Sequence, residues 1–124
     1  MARLTRALVV AASLLVASLM LSSCGVGAAV ADARTSCVFV HKALELQARS
    51  ETPGLSSGDQ ATLQANALSE LLKGTQPAAN ATSSDGSWNP LETTINEAER
   101  VPLQNLVPAL TRLCHVADST SPYL

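Results

Sequence analysis

Apolar residues are distributed along this chain in two ways. Residues 7–21 form a continuous apolar and small-residue run broken only by serines, whereas from Thr35 onward large apolar residues return every three or four positions, the spacing of one helix face. Over 35–49, Cys37, Val40 and Leu44 make one row and Phe39, Ala43 and Leu46 an adjacent one, with Thr35 or Ser36 placed to cap the start. Pro53, Gly54, Ser56, Ser57 and Gly58 then break the pattern. A second helix is predicted over 57–73. Ser57 and Gln60 have the spacing of a capping box, Asp59 adds negative charge at the positive end of the helix dipole, and Lys73-Gly74 is a stop. Its predicted buried stripe is Ala61, Ala65, Leu68 and Leu72, joined by Leu71.

Residues 75–87 contain almost no large apolar side chain and read as a flexible loop, closed by Trp88 as a lid over one end of the core. Asn89, Pro90 and Glu92 fit the N-cap, N1 and N3 positions of a third helix, with Leu91, Ile95 and Ala98 facing inward. The last segment carries the strongest stripe: Leu103, Leu106, Val107, Leu110, Leu113, Cys114 and Ala117. Pro108 lies inside it and predicts a kink or a restart. Nothing alternates with the period of a strand, so the expectation is an all-α, four-helix bundle-like domain over 35–118, followed by a disordered tail at 119–124.

The front of the chain reads as an address. Arg3 and Arg6 precede the apolar run, which is shorter than the roughly 20 residues that span a bilayer. Leu21, Ser22, Ser23 and Cys24 follow, and this resembles the lipobox of bacterial prolipoproteins. The resemblance implies that 1–23 is a cleaved signal peptide, that the Cys24 thiol carries a diacylglycerol, and that the mature chain is anchored on the outer face of the cell membrane. Two acyl chains supply stable anchoring where one does not. Residues 24–34, rich in Gly and Ala, then read as a flexible tether. The alternative is an ordinary secretory signal cut after Ala31 or Ala33, which would release a secreted protein.

With Cys24 acylated, Cys37 and Cys114 remain. Export places them in an oxidising compartment and both lie in the apolar stripes of their helices, so a disulfide between them is predicted. The competing arrangement is a metal or haem site built from Cys37, His41, Cys114 and His115. Neighbouring residues on a helix point about 100° apart, which sets Cys114 and His115 against sharing one ion. No metal and no cofactor is therefore expected.

Composition narrows the function classes. Only Phe39, Trp88 and Tyr123 are aromatic, so the core must be built from Leu, Ala and Val. Beyond the leader, Arg34, Lys42, Arg49, Lys73, Arg100 and Arg112 stand against ten acids, a net charge of about −4 with no basic cluster, which disfavours nucleic acid. No nucleophile motif, metalloprotease motif or phosphate-binding loop is present. Glu92, Glu97 and Glu99 read as a solvated helix face, and Arg100 as the partner of an acid on a neighbouring helix.

The whole chain, and in particular residues 87–119, is similar to uncharacterised small exported proteins of high-GC Gram-positive bacteria, a likeness that implies no activity. The expected role is a non-enzymatic envelope lipoprotein acting as a structural or protein-interaction module. The alternative is a carrier holding a small apolar ligand, lipid or haem, between its helices.

Overall fold

The computed structural model describes the backbone of residues 2–119 and the side chains of residues 25–119. The chain forms α1 (Ala2–Ser50), α2 (Ser57–Lys73), α3 (Thr75–Ser84), a 3-10 turn (Gly86–Trp88), α4 (Asn89–Glu97) and α5 (Leu103–Ser119). Only Gly74 separates α2 from α3, so the fold consists of four helical runs, with no strand among the described residues. The predicted class, an all-α bundle closed by one disulfide, is what the chain adopts.

The fold is organised by two facing seams of small residues. On α1 the buried positions Ala29, Ala33, Ser36, Val40, Ala43, Gln47 and Ser50 are separated alternately by four and three residues. Across α2 and α3, Ala67, Leu71, Gly74, Ala78 and Ala81 repeat the same alternation. A mean spacing of 3.5 is the period of helices that lie alongside one another over several turns. The two runs are antiparallel: Gly25 lies near the carbonyl of Ser84, Ser36 against Gly74, and Lys42 3.5 Å from Glu70. At the midpoint the Ser36 hydroxyl donates to the Gly74 carbonyl at 2.8 Å. A Cβ on Gly74 would sit 3.1 Å from Ser36 Oγ and 3.2 Å from the Ser36 carbonyl oxygen, so glycine is what lets the backbones approach this closely.

This pairing corrects two expectations. Residues 25–34 are not a tether, because they continue α1 and bury Ala29, Val30 and Ala33 in the core. Alanine is the best helix former and needs no bulk to be buried when the partner helix is close, so the Gly/Ala composition concealed a packed segment. Thr35 and Ser36 accordingly cap nothing: the Thr35 hydroxyl donates to the Ala31 carbonyl one turn back. Residues 75–84 are likewise helical rather than a loop, with Ala78 and Ala81 as seam residues and Pro77 tolerated in the first turn.

Local details differ by a residue or by part of a turn. The cap of α2 is Ser56 rather than Ser57: its Oγ accepts from the Asp59 N–H at 3.1 Å and donates to the Asp59 carboxylate at 2.7 Å. The α2 stripe is rotated toward Ala67, fully buried with Leu71, while Ala61 and Ala65 are exposed. Asn89 is already helical, and no side chain caps α4, which continues directly from the 3-10 turn. Leu91, Ile95 and Ala98 are buried as expected. Helix α5 runs through Pro108 without a restart and buries Leu103, Leu110, Cys114 and Ala117. Of the predicted tail, Ser119 closes α5 and 120–124 lie outside the described residues.

Candidate functional site

The cysteine stripes meet where α5 crosses α1. Cys37 and Cys114, both fully buried, are joined by a disulfide that links positions 77 apart in sequence. Beside it the Arg34 Nε donates to the Ala117 carbonyl at 3.0 Å, and the His41 ring lies 2.9 Å from the Asp118 carboxylate on the exposed side. The two sulfurs are bonded to each other rather than turned toward the histidines. Among the described residues, no group of three or more His, Cys, Asp or Glu side chains is placed to hold a metal ion. His115 is exposed one residue beyond the staple. The backbone of Cys24 is part of α1, but its side chain, the predicted lipidation site, lies outside the described residues.

Several carboxylates are tied into the scaffold. Glu70 lies 2.6 Å from Lys73 and 3.5 Å from Lys42, tying α2 to α1. The hydrogen bond from Lys73 holds its pKa below the ordinary value, with the charge of Lys42 assisting and partial burial opposing. Asp85 is also held below its ordinary value, in its case by the backbone N–H of Ser87, which donates to the carboxylate at 3.0 Å. Arg100 pairs with Glu97 at 2.8 Å, three residues back in its own segment, and not with an acid of a neighbouring helix. Glu92 and Glu97 are half-buried and Glu99 is exposed.

The described residues line two clefts at opposite ends of the 25–50 stretch of α1. One, of about 290 Å³, is walled by Val26 and Val30 of α1, Leu113 and Val116 of α5, and Trp88, with Asp85 at its edge. Trp88 is 7% exposed and covers this end of the core, as the lid reading anticipated. The other, of about 380 Å³, lies between α1, α2 and the α4–α5 connection, and its polar lining comes from Gln47, Gln64, Glu99, Arg100 and Gln104. Gln47 is 3% exposed and its amide donates to Glu51 at 2.9 Å. Val30 and Gln47 are 17 residues apart on α1, so the clefts lie about 25 Å apart along that helix.

Sequence reasoning found neither cleft. The first was hidden because Val26 and Val30 fell in the supposed tether, although their spacing of four was itself a helix-face signal. The second is built from amides and a connection, which carry no hydrophobic periodicity. Among the described residues no helix is long and apolar enough to cross a membrane. Comparison of the chain with protein-family models, with curated proteins and with solved structures gave no match.

Proposed function

We propose that this protein is a lipid-anchored helical module of the cell envelope, held on the outer face of the membrane through Cys24 and acting by contact with another envelope protein. The observation that carries the reading is the buried Cys37–Cys114 disulfide, because such a bond persists in an oxidising, extracytoplasmic compartment. Packing just after the motif supports it further. Gly25 lies near the Ser84 carbonyl at the end of α3 and Ala29 is fully buried, so a chain beginning at Cys24 keeps both contacts. A cut after Ala31 or Ala33 would instead remove Ala29 and Val30 from the core.

The contact surface in this reading is the polar cleft around Gln64 and Arg100, at the end of the domain distant from Cys24. A paired Arg100 beside the amides of Gln64 and Gln104 offers directional hydrogen bonds over a partly apolar floor, the composition of a protein-recognition site. The carrier reading draws on the smaller cleft, whose walls are mostly apolar.

Intact-mass analysis of protein taken from membranes tests the anchor and the staple together. The expected species begins at Cys24, carries a diacylglyceryl adduct and lacks two hydrogens relative to the dithiol. Cys24→Ala should leave an unprocessed precursor or release the domain. An unmodified Cys24 would sink the lipoprotein reading. A photocrosslinker at Gln64 should capture one defined envelope protein in cells, and a co-purifying lipid or haem with no such capture would favour the carrier.

A further inference from the structure

We infer that the end of the domain bearing Val26, Trp88 and Val116 docks onto the lipid surface, so that the module stands on the membrane in a fixed orientation rather than swinging from its anchor. The inference rests on the lipid-anchored reading and adds to it a second membrane contact made by the fold itself.

The geometry begins with covalent distance. Val26 follows Cys24 by two residues, which limits their separation to about 7 Å even in an extended chain. Because 25–34 belong to a packed helix, no slack intervenes between anchor and domain. Whatever surrounds the glyceryl group at Cys24 therefore surrounds Val26 as well. Val26 is 53% exposed and Val116, on the facing helix, is 48% exposed. These two form the rim of the cleft that descends to Leu113 and Trp88.

The chemistry of the rim fits an interface. The side chains lining the cleft carry a single charge, that of Asp85, which is already bound to the Ser87 backbone N–H. No Lys or Arg lines it, so docking draws on apolar contact rather than on anionic headgroups. Valines and the edge of an indole ring suit the boundary between headgroups and acyl chains. Isolated, so small a patch would hold a membrane weakly; fastened beside it, the patch meets lipid at a high effective concentration and docks without an entropic search. The acyl chains of Cys24 itself are a poorer occupant. They already lie wholly in hydrocarbon, and entering a half-open cleft would return one side of them to water.

Trp88 is the one tryptophan of the chain and lies in this cleft, so it reports on the contact directly. Native lipidated protein is reconstituted in phosphatidylcholine vesicles with or without bromine on the acyl chains close to the headgroups. Trp88 emission should be lower with the brominated lipid than with the unbrominated one, equally so at low and high salt. Val26→Asp and Val116→Asp, both at exposed positions, should recover most of the emission while keeping the lipid mass, vesicle flotation and helix content. Protein that floats but shows no quenching by bromine would overturn the docking alone and leave the anchor intact. Quenching that survives both substitutions would overturn it too. Protein with an unmodified Cys24 that fails to float would remove both the anchor and the docking.

Discussion

The two ends of α1 are built of different material although one helix runs through both. At the Val26 end the cleft is walled by valines, Leu113 and Trp88, and its single charged group is tied down by a backbone N–H. At the Gln47 end the lining gathers amides, Glu99 and Arg100 over a smaller share of apolar side chains. Between them the helix carries a seam of small residues that locks it to α2 and α3. The packed middle holds the two chemically different ends about 25 Å apart along one helix.

The largest expected effect comes from removing the staple. In the chain-entropy model, opening a loop whose ends are 77 residues apart costs about 4.5 kcal/mol. Loss of that much in a domain of this size lowers Tm by roughly 20 °C. Cys114 adjoins Leu113 of the apolar cleft, so Cys37→Ala with Cys114→Ala should disturb the Trp88 end before the Gln47 end. Calorimetry with tryptophan emission checks both parts, and a melt unchanged within a few degrees would show that the disulfide is dispensable.

Truncation sharpens the contrast next. A chain beginning at Arg34 lacks Ala29, Val30 and Ala33 of the core and the Val26 wall of the apolar cleft, but keeps every wall of the polar one. Loss of that burial should cost about 3 kcal/mol. Trp88 emission should move to longer wavelength as water reaches the ring. Equal stability of the truncated and full domains would mean that 25–33 contribute nothing to the fold.

Gly74→Ala strikes the middle and should leave both ends as they are. Its φ of −74° suits alanine, which favours helices by about 1 kcal/mol over glycine. The added Cβ meets Ser36 Oγ and the Ser36 carbonyl at 3.1 and 3.2 Å, and α1 would have to retreat from α2 along the seam. Overpacking of this kind costs more than the propensity returns, for a net loss of about 1 kcal/mol. A stabilised variant, read by urea denaturation, would show the close approach to be slack.

The same seam explains what the sequence made legible. The stripes of α5 and α4 announced themselves because Leu103, Leu110, Leu91 and Ile95 are bulky and regularly spaced, and compartment logic paired Cys37 with Cys114. The 25–34 and 75–84 segments were misread for one common reason. Apart from Val30, their buried faces are the alanines Ala29, Ala33, Ala78 and Ala81, which give a weaker periodic signal than bulky side chains yet fill the space between two close helices. The stripe of α2 was misplaced for the same reason, since Ala61, Ala65 and Ala67 are identical in type and only the partner helix decides which is buried. The clefts needed the third dimension, because each draws its walls from segments far apart in sequence.

Acid separates the two ends with the smallest expected effect. Glu70, on the α1–α2 face, and Asp85, at the edge of the apolar cleft, both have pKa values held below their ordinary ones of 4.5 and 3.8. A carboxylate with a depressed folded-state pKa adds stability that is fully present above its unfolded value and fades as pH falls through the folded value. Stability should therefore hold from neutral pH down to the ordinary carboxylate range and decline below it. Glu70→Gln should make that decline shallower without altering Trp88 emission, since it removes the titrating charge that pairs with Lys73 and Lys42 away from the cleft. Asp85→Asn keeps an oxygen to accept from the Ser87 N–H but loses its charge, so the acid response of Trp88 emission should flatten while the global melt changes little. Should acid alter Trp88 emission equally in wild type and Asp85→Asn, the turn before Trp88 would owe nothing to that carboxylate, and the apolar end would be shaped by packing alone.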